Sequence, residues 1–247
     1  EGGGERVFVA ASITDPLRGL IRDAGIGLFE IAPSGSSDAG DWDRASWSEA
    51  AQRDDARRTA AVLETGCDWL VADHYGLDAL WEAEMRGCAK RIAVIDDLAN
   101  RPHACQLLVD QTYGRDPGDY RALTGDAADL LVGARYALLR PEFARARSSA
   151  LERHFEERPV ERILISLGMT DVGGLTQVAA RAALLRTGAA IDIVLGSEAP
   201  TLAAVQRLAE AEPRVSLHID SNRVCELMAA ADLALGAAGT TSWERCC

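Results

Sequence analysis

Four short stretches of this 247-residue chain carry side chains and turns able to do chemistry, each following an apolar run. Asp73-His74-Tyr75-Gly76-Leu77-Asp78 puts a carboxylate, an imidazole and a phenol together after WLVA. Asp78 also suits the start of a following helix, where its side chain would cap free amides. Asp96-Asp97 follows RIAVI, and paired carboxylates there could hold a metal or an arginine, or cap the next turn. In ISLGMTDVGGLT, residues 165–176, Gly168, Gly173 and Gly174 could turn backbone N–H groups toward a diphosphate. The spacing is not G-x-G-x-x-G, so the dinucleotide fingerprint is not met. GAAGTTSWERCC, residues 236–247, sets three hydroxyls beside a glycine turn and adds Glu244, a carboxylate able to accept hydrogen bonds from a ribose diol. Thr241-x-x-Glu244 equally fits a capping box. Of the histidines, only His74 sits in one of these stretches. His103 follows Pro102 in a loop, His154 falls in a charged segment, and His218 in VSLHID reads as a satisfied sheet residue.

Positioning such groups requires strand ends, and the sequence supplies them. Short apolar runs such as VFVA, DWLVA, RIAVI and LLVD alternate with helical stretches, which predicts an open, mostly parallel α/β sheet. In such sheets ligands bind beyond the carboxyl ends of the strands. A charged stretch poor in large apolar residues, RPEFARARSSALERHFEERPVER, then reads as a helical linker. A second strand–helix series follows it, from RILISLG to DLALGAAG. The expected division is a first domain over 1–140, a linker over 141–160 and a second domain over 161–247.

Hydrophobic residues make up 48% of the chain, enough for a proper core. The net charge of −12 argues against nucleic acid or an anionic membrane as partner, since both need clustered cations. Any phosphate site must therefore rely on local backbone dipoles and a few arginines. Six cysteines show no C-x-x-C spacing, so a structural zinc site is not expected, and their placement fits a reducing cytoplasm. No apolar run approaches a membrane span of about eighteen residues.

Taken in order, VADHYGLD, AVIDDLA, GARYALLRPEF, ISLGMTD and ADLALGAAGTTSWE resemble one family. It is the UDP-2,4-diacetamido-2,4,6-trideoxy-β-L-altropyranose hydrolases of bacterial pseudaminic acid biosynthesis. The resemblance covers essentially the whole chain. Its closing motif is shared in kind with the peptidoglycan N-acetylglucosaminyltransferase and other GT-B proteins. The resemblance implies a GT-B-like α/β fold of two Rossmann-like parallel-sheet domains facing a cleft, UDP held by the C-terminal one and the sugar reaching the N-terminal one. It implies a cytoplasmic enzyme with a UDP-sugar substrate, no cofactor, no metal and no obligate protein partner. Water would attack the anomeric carbon with inversion, releasing UDP and the free sugar.

Residue by residue, Asp73 and Tyr75 match the family's D-x-Y motif beside the sugar. Gly168 and Asp171 match a G-G-x-D turn near the diphosphate, with Met169 in place of the second glycine. Gly236, Gly239, Thr240, Thr241, Ser242 and Glu244 match the nucleotide-binding turn, Glu244 being the ribose partner. The family's base is a histidine in an N-terminal G-x-G-H loop, and a substrate-linked asparagine stretch follows its glutamate; these residues contain neither. The expectation is thus of a fragment cut at both ends, each domain incomplete, inactive alone and poorly stable. A GT-B glycosyltransferase and a non-catalytic UDP-sugar-binding module are the alternatives.

Overall fold

The computed structural model describes residues 4–31, 47–155 and 159–246, without the side chains of residues 154 and 155. The polar loop expected over 34–47 therefore lies outside the described residues except at Trp47, as do Cys247 and the side chain of His154. The chain divides into two units, Glu1–Ala137 and Leu138–Cys247.

The first unit runs β1 (Val7–Ala10), α1 (Asp15–Asp23), β2 (Gly27–Glu30), α2 (Glu49–Val62), β3 (Cys67–Ala72), α3 (Ala79–Met85), β4 (Ala89–Ile95), β5 (Leu107–Asp110), α4 (Gly118–Thr124) and β6 (Asp129–Val132). Strands β1 and β2 form a two-stranded parallel sheet, and β3-β4-β5-β6 a four-stranded one, also parallel throughout. Strands covered on both faces read as near-continuous apolar runs, and in β4 the consecutive Ile92, Ala93 and Val94 are all buried. Met85, Ile92, Leu108 and Tyr120 meet in one core cluster. A cleft of ≈ 1580 Å³ runs between β1 and β3, with Asp73 and His74 among its lining residues.

Helix α4 opens after Asp116-Pro117 on Gly118, residue types more common in turns. It forms because Tyr120 enters the core completely, at 0% exposure, and tertiary burial outweighs weak local propensity.

The second unit runs α5 (Pro141–Phe155), β7 (Arg162–Ser166), α6 (Leu175–Arg186), β8 (Ala190–Leu195), α7 (Leu202–Ala211), β9 (Val215–Ile219), α8 (Val224–Ala230), β10 (Leu233–Gly236) and α9 (Thr240–Cys246). Its sheet is parallel throughout, in the order β10-β7-β8-β9. Ile163, Ile165, Ile191, Ile193 and Leu195 build its core. The buried Asp192 on β8 is held by Arg162 Nη1 and His218 Nε2, each at 2.7 Å. His218 is thus a partnered sheet residue, as expected. The charged segment read as a linker forms α5. Buried Phe143 and the Arg153–Asp232 ion pair at 2.7 Å tie it to the second unit. Among the described residues no helix is long and apolar enough to cross a membrane. Both units are α/β with Rossmann-like parallel sheets, the expected class.

Candidate functional sites on the two units

In the first unit, β3 and β4 run parallel with Ala72 opposite Val94, so both chains leave the sheet at the same edge. That register brings the first two candidate stretches together. The Tyr75 hydroxyl donates to Asp97 Oδ2 at 3.3 Å. The Gly76 N–H donates to His74 Nδ1 at 3.0 Å, which leaves the other ring nitrogen as the proton carrier of a neutral imidazole. His74 meets the Trp47 ring edge-on at 4.7 Å. A Cβ at Gly76 would lie 2.6 Å from the same indole, so a side chain here would have to displace the Trp47 ring.

These contacts set the protonation states. Burial first, opposed by Asp55 and aided by Arg101, holds His74 below the ordinary imidazole value. Desolvation at the cleft wall and then the Asp97 charge push the Asp73 carboxyl up, against the pull of His74. Burial and then Asp97 push Tyr75 up to about 12. Tyr75 is therefore a neutral hydrogen-bond donor across the physiological range. Titrating the chain by ultraviolet absorbance should show a phenol ionising near 12 that is missing in Tyr75→Phe. A difference titration centred near 10 would contradict the geometry.

Asp96 takes two of the roles foreseen for it, holding an arginine and capping a turn. Its Oδ2 accepts from the Ala99 N–H at 2.9 Å and from the Tyr120 hydroxyl at 2.8 Å. Its Oδ1 meets Arg101 Nη1 at 2.7 Å as an ion pair, without the alignment of a hydrogen bond. Asp78 caps α3 through Leu80 N at 2.8 Å.

Sequence reasoning missed the interior network behind this edge. Tyr120 also lies 2.8 Å from Asp110 Oδ2, which Arg115 Nε reaches at 2.6 Å. His103, dismissed as a loop residue, is 3% exposed and sits 2.7 Å from Glu82 Oε1. Glu82 also accepts from the Ala104 N–H. One signal was available: Asp110 ends an apolar strand just as Asp96 follows one, and the strand-end rule selects it too.

In the second unit the order β10-β7-β8-β9 places a switch point between β7 and β10. The chain builds outward from β7 through β8 and β9, then returns to pair β10 on β7's other side. Gly236 stands opposite Ser166, so both glycine-rich turns leave neighbouring strands side by side. Open α/β sheets take ligands at this place. Gly168 (φ 101), Gly173 (φ 88) and Gly239 (φ 114) adopt backbone that other residues rarely reach.

Asp171 is buried, and both its oxygens are taken by the helices that flank the loop. Oδ1 accepts from Thr176 N at 3.0 Å and Oδ2 from Thr201 Oγ1 at 2.5 Å. It shapes the turn by tying α6 to the start of α7. Met169, in place of a glycine, sits in close backbone contact all the same. Its carbonyl accepts from Gly196 N at 2.9 Å, and a Cβ on Gly196 would come within 2.5 Å of that oxygen.

The turn after β10 is braced by Arg245, whose Nη2 donates to Ala237 O at 2.9 Å and to Ser242 Oγ at 3.1 Å. A methyl at Gly236 would collide with that guanidinium. Helix α9 begins at Thr240, so Thr241 lies inside its first turn rather than at the cap. The Thr241–Glu244 capping box is accordingly replaced: Glu244 turns to Arg140 Nη2, at 3.5 Å.

Strand-end carboxylates in one unit and paired glycine turns at a switch point in the other belong to an α/β protein built of two Rossmann-like parallel-sheet units. No protein-family model matches the chain. Among curated proteins it is similar to the UDP-2,4-diacetamido-2,4,6-trideoxy-beta-L-altropyranose hydrolase of Campylobacter jejuni, 26% identical over 170 residues, or 68% of this chain. The match spans 58% of that relative's length. This is the resemblance that the ordered motifs carry. Among solved structures, MurG of Acinetobacter baumannii aligns over 97% of this chain and 74% of its own, at 12% identity and a TM-score of 0.48.

Proposed function

We propose that this chain binds a UDP-linked 2,4-diacetamido-2,4,6-trideoxy sugar and serves its hydrolysis at the anomeric carbon. The observation that carries the reading is the pair of glycine turns side by side between β7 and β10. The similarity to a curated hydrolase of that UDP-sugar supports the choice of ligand. In this reading Gly168, Gly236, Gly239, Thr240, Thr241 and Ser242 offer backbone and hydroxyl donors to the diphosphate. Asp171 holds the first turn in shape, and Glu244 accepts from the ribose diol. On the first unit, Asp73 and Tyr75 contact the sugar, Tyr75 as a neutral donor.

The reaction balances simply. The oxygen of water bonds to the anomeric carbon, the bond from that carbon to the diphosphate oxygen breaks, a proton passes from water to a base, and UDP leaves with the electron pair. Stabilising the departing diphosphate is the part that oriented N–H donors supply.

Two measurements test the reading. Calorimetry with UDP should show saturable heat, and none at millimolar UDP would overturn the binding. With a G-x-G-H loop of the family supplied ahead of it, the chain incubated with the UDP-sugar alone should release UDP. Release that waits on an added acceptor sugar would overturn hydrolysis in favour of glycosyl transfer.

A further inference from the structure

We infer that Arg101 positions the Asp73–Asp78 loop, holding Tyr75 where the first unit meets a sugar; this extends the proposed function to a residue outside the sugar-contacting motif. Arg101 is 7% exposed, and its three guanidinium nitrogens reach four partners, Nη1 donating to Asn100 Oδ1 at 3.3 Å besides facing Asp96. Nε donates to Leu77 O at 2.8 Å and Nη2 to His74 O at 3.3 Å. Those two carbonyls bracket Tyr75-Gly76, so the fork grips the backbone from directly beneath the tip. Nη1 faces Asp96 Oδ1 at 2.7 Å, and Asp96 is itself fixed by Ala99 and Tyr120.

The adjacent residue completes the grip. Asp97 accepts the Tyr75 hydroxyl at 3.3 Å, and its own carbonyl accepts from Arg115 Nη2 at 2.7 Å. The end of β4 therefore holds the loop twice, through the backbone by Asp96 and Arg101 and through the side chain by Asp97. The far end is fixed separately, where Gln52 exchanges hydrogen bonds with Asp78.

Arginine is required here for its shape. A planar fork can serve a carboxylate and two carbonyls at once, whereas a lysine ammonium is a single compact charge. Arg101→Lys should therefore keep the buried ion pair, and with it most of the stability, while losing the loop. That outcome separates positioning from charge balance, which lysine would rescue.

The experiment compares the full chain with Arg101→Lys and Arg101→Met. In Arg101→Lys, amide exchange at residues 74–77 should speed up by about tenfold or more. The midpoint of His74, followed by proton NMR, should rise in both variants, since a freed loop loses the burial that holds it low, and rise further in Arg101→Met, where the neighbouring cation is gone as well. Calorimetry should show UDP affinity within about twofold of the parent and UDP-sugar affinity lower by about tenfold, or 1.4 kcal/mol. Parental exchange rates at 74–77 in Arg101→Lys would overturn the assignment, whatever Arg101→Met does. A parent chain that binds neither UDP nor the UDP-sugar would instead overturn the proposed function, while the exchange data still decide Arg101.

Discussion

Asp96→Ala is expected to destabilise the first unit by about 3–5 kcal/mol, whereas Asp97→Ala beside it should cost less than about 1 kcal/mol. The two carboxylates differ in surroundings, not in chemistry. Asp96 is 2% exposed and holds Arg101, the Ala99 amide and the Tyr120 hydroxyl. Removing it strands a guanidinium in the interior, and an uncompensated buried charge is among the most costly single changes. Among the described residues, the Asp97 side chain takes only the long, exposed Tyr75 contact. Urea denaturation of the two variants would expose the contrast, and equal losses would count against it.

The same site predicts a pH dependence. Burial works to raise Asp96, but the Ala99 amide, the Tyr120 hydroxyl, Arg101 and His103 outweigh it and hold the group below the ordinary carboxylate value. A carboxyl with a lowered folded pKa contributes stability that is present above the unfolded value of about 3.9 and lost as pH falls through the folded one. The gap between parent and Asp96→Asn should thus be full at neutral pH and close progressively below about pH 4. A gap that stays constant into strong acid would show that the charge is not what stabilises.

Glu244→Ala should weaken UDP binding by about tenfold to a hundredfold, the range for a lost hydrogen bond to a charged group. Folding stability should change by no more than about 1 kcal/mol, because the ion pair is long and its arginine half-exposed, although the Glu244 side chain is itself only 14% exposed. Its partner Arg140 is 45% exposed and stands off at 3.5 Å. Inorganic diphosphate, which has no ribose, separates the roles: its affinity should be the same in parent and variant. Unchanged UDP affinity would remove Glu244 from the ribose, and a parallel loss of diphosphate affinity would assign it to the turn's shape instead.

Legibility in the sequence followed the strength of local signals. The strands of the second unit were plain because RILIS and AIDIVL are apolar on both faces. The meeting of Tyr75 with Asp97 was not, since it depends on the register of β3 against β4, which no local pattern encodes. The same holds for His103, made a buried partner of Glu82 by a tertiary contact across 21 positions. The strand-end rule found the right edges but could not say which carboxylate would point inward. Asp96 and Asp97 are identical in type and adjacent, and only packing sets one in the interior and the other at the rim. Thr241 and Glu244 show the reverse failure: a valid local motif gave way to Arg140, reached 104 positions away.

The parallel pairing of β10 with β7 also has a kinetic meaning. Leu233 pairs with Ile163, and all the pairings between β7, β8 and β9 except Arg162 with Ala190 lie inside that span. Non-local parallel contacts of this kind form late, because loop closure must precede the hydrogen bonds that reward it. The switch point does not exist until β10 docks. A ligand held there would bind only chains that have completed this last step, and would draw the folding equilibrium toward them by mass action.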